Sequence, residues 1–171
     1  MANEISEGNL ILSFEGALSV ERFDGASHGM SHVMKAVDFV VTFPSETWLV
    51  EVKDFNNPDI PPEHKAARAT ADYEKVRTEA LYRDELAPKL RDTLIYLALA
   101  NCAPANVIKY IVLIETPNFD SRMFQTGQDR LRTLCYLPGP RPHGWASSFD
   151  IVVANFDQWN KRMHPHSIRR N

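Results

Sequence analysis

Cysteine, glycine, surplus charge and long apolar runs are all scarce in this sequence, and each scarcity removes a class of protein. The two cysteines, Cys102 and Cys135, stand far apart among apolar neighbours, so neither a disulfide framework nor a zinc knuckle is signalled, and both are expected as reduced core thiols. With only 7 glycines and 24% charged residues, the chain fits neither a low-complexity nor a disordered class. No apolar stretch approaches the roughly 20 residues that span a bilayer, and the opening MANEISEGNL has no basic segment followed by an apolar run. The expectation is a cytoplasmic protein with no membrane partner. A net charge of −3 argues against coating nucleic acid through bulk electrostatics, though not against an enzyme with a local basic groove. A glycine-rich phosphate loop of the P-loop type and a Gly-x-Ser-x-Gly elbow are also missing, which removes the usual signatures of nucleotide hydrolysis and acyl transfer.

Apolar residues are plentiful enough for one core: 44% hydrophobic residues over 171 positions predict a single domain spanning residues 1–171. Residues 9–24 read as one or two strands with a turn at Glu15-Gly16, and residues 25–32 as loop. Residues 37–43 (VDFVVTF) and 48–53 (WLVEVK) are short β-branched and aromatic runs around Pro44-Ser45-Glu46-Thr47, which is a hairpin signal. From Glu63 to about Ala87 the composition is that of a solvent-facing helix, which Pro88 breaks or restarts. Leu86, Leu90, Leu94 and Leu97 recur at helical spacing and predict an apolar stripe packed on a sheet. VIKYIVLIE (107–115), LRTLCYL (131–137) and DIVVANF (150–156) are further strand candidates, the middle one open to a helical reading. The predicted class is α/β, with a mixed central sheet flanked by helices. Residues 159–171, with Lys161, Arg162, His164, His166, Arg169 and Arg170, read either as a solvated tail or as a phosphate-contacting edge.

The hairpin lets spacing be turned into geometry. A loop of four residues, or of its central two, sets Phe43 opposite Trp48, Val40 opposite Glu51 and Asp38 opposite Lys53. Opposed and alternate residues share a face, so Asp38, Val40, Thr42, Leu49, Glu51 and Lys53 project to one side. Phe39, Val41, Phe43, Trp48, Val50 and Val52 project to the other, which is wholly apolar and must be core. The first side gathers two carboxylates and an ammonium where Val40 and Leu49 partly desolvate them. Carboxylate oxygens suit Mg²⁺ or Mn²⁺, ions that keep waters and take further ligands from phosphate. Such an ion activates water, and a nearby ammonium neutralises charge developing on a phosphorane.

An aspartate in one strand, a short turn and Glu-x-Lys in the next, followed by helices and another strand, is the pattern carried here by Val37-Asp38 and Glu51-Val52-Lys53. It resembles the PD-(D/E)XK nuclease superfamily, and the resemblance covers residues 17–115, leaving strands and a basic tail in 116–171. It implies a restriction-endonuclease-like fold and hydrolysis of phosphodiester bonds, with nucleic acid as partner and DNA favoured by analogy. It also implies metal binding by Asp38, Glu51 and the backbone carbonyl of Val52, with Lys53 as the catalytic lysine. The family's further upstream acid has Glu15 and Glu21 as its nearest candidates. A polar or basic residue from the following helix is also expected near the site, with Lys89 and Arg91 as candidates, and Lys35 is a third substrate-binding candidate. Cutting both strands of a duplex needs two sites, so a homodimer is expected if the substrate is double-stranded.

Blander readings stand beside these. Asp38, Glu51 and Lys53 also read as exposed cross-strand ion pairs on a solvated face. A nuclease fold without activity, binding nucleic acid or a protein partner, is a third reading. Lys35, Lys89 and Arg91 fit ordinary surface charge, and Glu15 and Glu21 fit plain strand or turn residues. Glu63-His64-Lys65 repeats the acidic-x-Lys spacing without a strand or an upstream aspartate. His28 and His32 have metal-ligand spacing, and His164 and His166 flank Pro165, but no Cys or His cluster completes a zinc site, so loop histidines are expected.

Overall fold

A computed structural model describes residues 2–25, 29, 33–116, 120–135, 142, 144 and 149–171. Among these residues, eight strands form two sheets. The larger runs β3 (Ser19–Arg22), β4 (Phe39–Thr42), β5 (Glu46–Asp54), β6 (Val107–Glu115) and β7 (Phe149–Ala154), in that order. β3, β4 and β5 form an antiparallel meander, whereas β5, β6 and β7 are parallel. Parallel neighbours need crossovers. The first consists of α1 (Pro62–Arg77), a π-helical turn (Leu81–Leu86) and α2 (Ala87–Leu99), which continues it without a break; the second is α3 (Ser121–Leu134). β1 (Ala2–Glu7), β2 (Leu10–Glu15) and β8 (Ser167–Arg170) form the smaller antiparallel sheet, and α4 (Phe156–Arg162) leads into β8. The fold is α/β with a mixed central sheet. No described helix is long and apolar enough to cross a membrane.

Strand alternation divides the interior into two cores. Phe39, Val41, Trp48, Val50, Ile111 and Leu113 pack with Leu10, Leu12, Phe14, Trp159 and Ile168 of the small sheet and α4. Val40, Leu49, Tyr110, Val112, Ile151 and Val153 pack beneath Leu81, Tyr82, Leu86, Leu90, Phe124 and Leu131 of the helices. Leu86, Leu90 and Leu97 are buried and Leu94 is half-buried, as their spacing predicts.

The hairpin register differs from the predicted one. Val41 pairs with Trp48 and Phe39 with Val50, and the Phe43 N–H donates to the Glu46 carbonyl at 2.8 Å, closing the turn over Pro44-Ser45. Opposed numbers therefore sum two lower than expected, and the register sets Asp38 against Glu51 rather than Lys53. An even shift preserves faces, so Asp38, Glu51 and Lys53 still share one side.

Other expectations are corrected. LRTLCYL is not a strand: residues 131–134 are the last turn of α3, whose start is capped by Asp120 accepting the Arg122 and Met123 N–H groups at 2.9 Å. Tyr136 and Leu137, like His28 and His32, lie outside the described residues. The C-terminal stretch is not a solvated tail, because Asn155 caps α4 and β8 pairs with β2. Arg169 and Arg170 are engaged within the chain, with Glu4 at 2.9 Å and with Asp54 at 2.7 Å. Only Cys135 of the two cysteines packs against a core. Cys102 is exposed in the turn after α2 and Cys135 is half-buried at the end of α3, both free. The predicted helix 63–87 divides at Thr78, which adopts extended backbone.

Candidate active site

The site is built where the β4–β5 ladder ends. Beyond the Phe39–Val50 pair the chain holds Asp38 in place by other bonds: its carbonyl accepts the Phe23 N–H at 2.8 Å, and its Oδ2 accepts the Val52 N–H at 2.7 Å. Val52 thus meets the cluster through its amide. From above, α2 grips the same segment, with Thr93 Oγ1 accepting the Val37 N–H and Asp92 Oδ2 accepting the Lys35 N–H, both at 3.1 Å. The parallel register aligns Glu51 with Val112 and Lys53 with Ile114, so both project onto the helix-covered face.

That face is a closed one at this point. Asp38 is 5% exposed and Glu51 0%, so the reading of a solvated ion pair is corrected. The ammonium of Lys89, in the first turn of α2, lies between the carboxylates, donating to Asp38 Oδ1 at 3.2 Å and to Glu51 Oε2 at 2.8 Å. Lys53 Nζ is 3.1 Å from Glu51 Oε1 and 3.4 Å from Glu85 Oε2. Glu85 in turn is 3.9 Å from Lys75. Charges of alternating sign therefore run from the exposed Lys75 inward to Asp38.

Burial decides the state of the most enclosed group. It pushes the Glu51 carboxyl up to about 7, with Asp38 adding to the rise and Lys89 and Lys53 opposing it. For Lys89, burial works against the charge, but Glu51 and Asp38 outweigh it and raise its pKa. Tyr110 lies beside Leu49 on this face and donates to the Leu86 carbonyl at 3.0 Å. Burial first, then Glu51, drives its pKa well above the phenol range.

Glu51 Oε1 tests whether a cation fits. It lies 2.7 Å from Lys89 Nζ and 3.1 Å from Lys53 Nζ, yet neither approach has the direction of a hydrogen bond, so this buried oxygen is held by charge alone. An oxygen without a directed partner, with Asp38 Oδ1 across from it and an ammonium between them, suits a hard cation. Among the described residues no group of three or more His, Cys, Asp or Glu side chains is placed to hold a metal. Asp38 and Glu51 are the residues that could hold Mg²⁺, an ion that commonly takes one or two carboxylates and completes its shell with water and phosphate.

Of the predicted residues, Asp38, Glu51, Lys53 and Lys89 meet. Lys35 stays at the periphery, its ammonium donating to the Asp84 carbonyl. That carbonyl is the one a residue-88 N–H would take in an α-helix, and Pro88 has none. Arg91 pairs with Asp92 at 2.9 Å and lines a cavity of about 550 Å³ with Ala87, Leu94, Leu134 and Phe149, which includes none of the four. Glu21 is exposed opposite Val40, and Glu15 lies in the small sheet, where its N–H donates to His166 Nδ1. Sequence reasoning missed Glu85, Lys75, Asp92 and Thr93. The Glu85–Lys89 spacing of four was the available signal.

Compared with protein-family models, with curated proteins and with solved structures, the chain matches none.

Proposed function

We propose that this chain is a metal-dependent phosphodiester hydrolase acting on nucleic acid, DNA by resemblance, with Asp38 and Glu51 holding Mg²⁺ or Mn²⁺. The observation that carries the proposal is the convergence of two buried carboxylates and two ammoniums at one point, with Glu51 Oε1 lacking a directed hydrogen bond. The meander β3-β4-β5 followed by helices and the parallel β6 supports the restriction-endonuclease resemblance. Bound there, the ion supplies Lewis-acid charge to the scissile phosphate. Lys53, on the open side of Glu51, reaches toward a phosphoryl oxygen and neutralises the charge that develops on it. Cleavage of both strands requires a second copy, so a two-fold dimer accompanies double-strand activity.

The reading is tested by a nuclease assay in Mg²⁺ and Mn²⁺ beside melting curves with and without metal. Lys53→Ala is expected to abolish cleavage while keeping the metal-dependent melting shift; cleavage at the parent rate would remove the role given to Lys53. Asp38→Ala is expected to lose both, and a parent-like melting shift in that variant would place the metal elsewhere.

One observation favours the rival reading of a non-catalytic binding module. Lys75, Lys53 and Lys89 already balance Glu85, Glu51 and Asp38 without any metal. Absence of a metal-dependent shift in the parent and also after removal of the Lys89 charge would select that reading.

A further inference from the structure

Lys89 occupies the place the proposed cation needs. Its ammonium is 2.7 Å and 2.8 Å from the two oxygens of Glu51 and 3.2 Å from Asp38 Oδ1. A divalent ion and an ammonium cannot share that place, because like charges at contact distance inside a protein repel strongly. The backbone that carries Lys89 is fixed by other contacts, because Thr93 and Asp92 of α2 bond the 35–37 segment independently of the charge cluster. The side chain is less confined, being 18% exposed where Glu51 is 0% exposed. Four methylenes can thus carry the ammonium toward water while helix and strands stay in place.

We infer that Lys89 is a tethered counter-ion that competes with the divalent metal for Asp38 and Glu51, and that metal binds by displacing its ammonium. The inference rests on reading these carboxylates as a metal site. It explains why two carboxylates are tolerated side by side under the helices when no metal is present, since an unpaired buried carboxylate pair would be strongly destabilising. It also sets the order of events. With Glu51 ionised the metal-free cluster is electrically balanced, so entry of a doubly charged ion leaves positive charge in excess, which a phosphodiester relieves. Metal is therefore held weakly alone and more firmly with nucleic acid present.

Titration calorimetry with Mn²⁺ tests this on the full chain without any assay of cleavage. Lys89→Met is expected to bind Mn²⁺ about tenfold more tightly than the parent or more, within the usual range of coupling between two linked binders. Lys89→Arg keeps a cation at the site and is expected to stay as weak as the parent. Adding Asp38→Asn to Lys89→Met should abolish the gain. Should Lys89→Met fail to fold alone, recovery of a cooperative melt on adding Mn²⁺, but not NaCl, supports displacement; failure to recover counts against it. Equal Mn²⁺ affinity in the parent and Lys89→Met would overturn the competition and leave the metal site standing. Binding by neither protein at millimolar Mn²⁺ would overturn the metal site and the inference together.

Discussion

The two faces of the five-stranded sheet are covered differently, by a second sheet with α4 on one side and by helices on the other, and the buried acids Asp38 and Glu51 lie beneath the helices. On the small-sheet side Phe14, Trp48 and Trp159 meet edge to face at centroid distances of 6.4, 6.1 and 5.7 Å, surrounded by aliphatic side chains. On the helical side the same strands present Val40 and Leu49 beside Asp38 and Glu51. One step along a strand exchanges these environments. The first face maximises apolar burial; the second gives some of that up, because apolar residues of similar volume would serve stability better than buried ion pairs. Stability and the proposed chemistry thus lie on opposite sides of one sheet.

The largest expected effect is on the apolar side. Trp159→Ala removes a fully buried ring at the junction of both sheets and should cost about 3–5 kcal/mol. Urea unfolding measures this, and a cost no larger than that of Lys53→Ala would break the comparison.

The next effect belongs to the charged side. In the fold Glu51 holds its proton up to about 7, whereas its ordinary value is 4.5. Its contribution to stability is fully present below the ordinary value and is lost as pH rises through about 7, the unfolded chain releasing the proton earlier. At about 1.4 kcal/mol per pH unit, the loss is on the order of 3 kcal/mol. In EDTA, the parent is expected to lose stability between pH 5 and pH 8 relative to Glu51→Gln, in which this carboxyl cannot titrate. Parallel pH profiles for the two proteins would show that burial does not govern Glu51. The same titration makes metal uptake strengthen as pH rises to about 7 and level off above it.

A smaller effect concerns how the helices close over the site. A Cβ at Gly127 of α3 would lie 2.5 Å from Tyr82 Oη and 2.9 Å from two ring carbons. Alanine gains about 1 kcal/mol of helix propensity, but overpacking against a buried ring costs about 1–3 kcal/mol. Gly127→Ala is expected to lower the urea midpoint modestly, and an unchanged or raised midpoint would mean that α3 shifts freely over Tyr82.

The legible parts of the sequence were those in which local pattern and tertiary burial agree. The apolar run at 107–115 is β6 residue for residue, since a strand buried on both faces reads as continuous hydrophobicity. The hairpin partition by face held although the turn did not, because a register error of two leaves side-chain parity unchanged. β1 and β8 were not visible. Their polar sequences ANEISE and SIRR are strands because β2 offers them backbone partners. Only the end of α3, at 131–134, was open to a helical reading, because its buried apolar residues Phe124 and Leu131 stand seven apart among polar neighbours. Within the site, Asp38, Glu51 and Lys53 followed from strand alternation alone. The central place of Lys89 did not, because Pro88 reads as a break where the chain instead forms a π-helical turn and continues.

That turn is, in genetic terms, a single extra codon. A π turn accommodates one residue more than the α-helical repeat, and each residue turns the helix by about 100°. The surplus lets Tyr82 face α3 upstream while Lys89 and Thr93 face the sheet side downstream. An in-frame loss of the Arg83 codon would leave a well-formed helix with every site residue still encoded. The two halves of that helix could then no longer both face their partners, so an intact inventory of acids and lysines would survive in a lineage after the arrangement that joins them had gone.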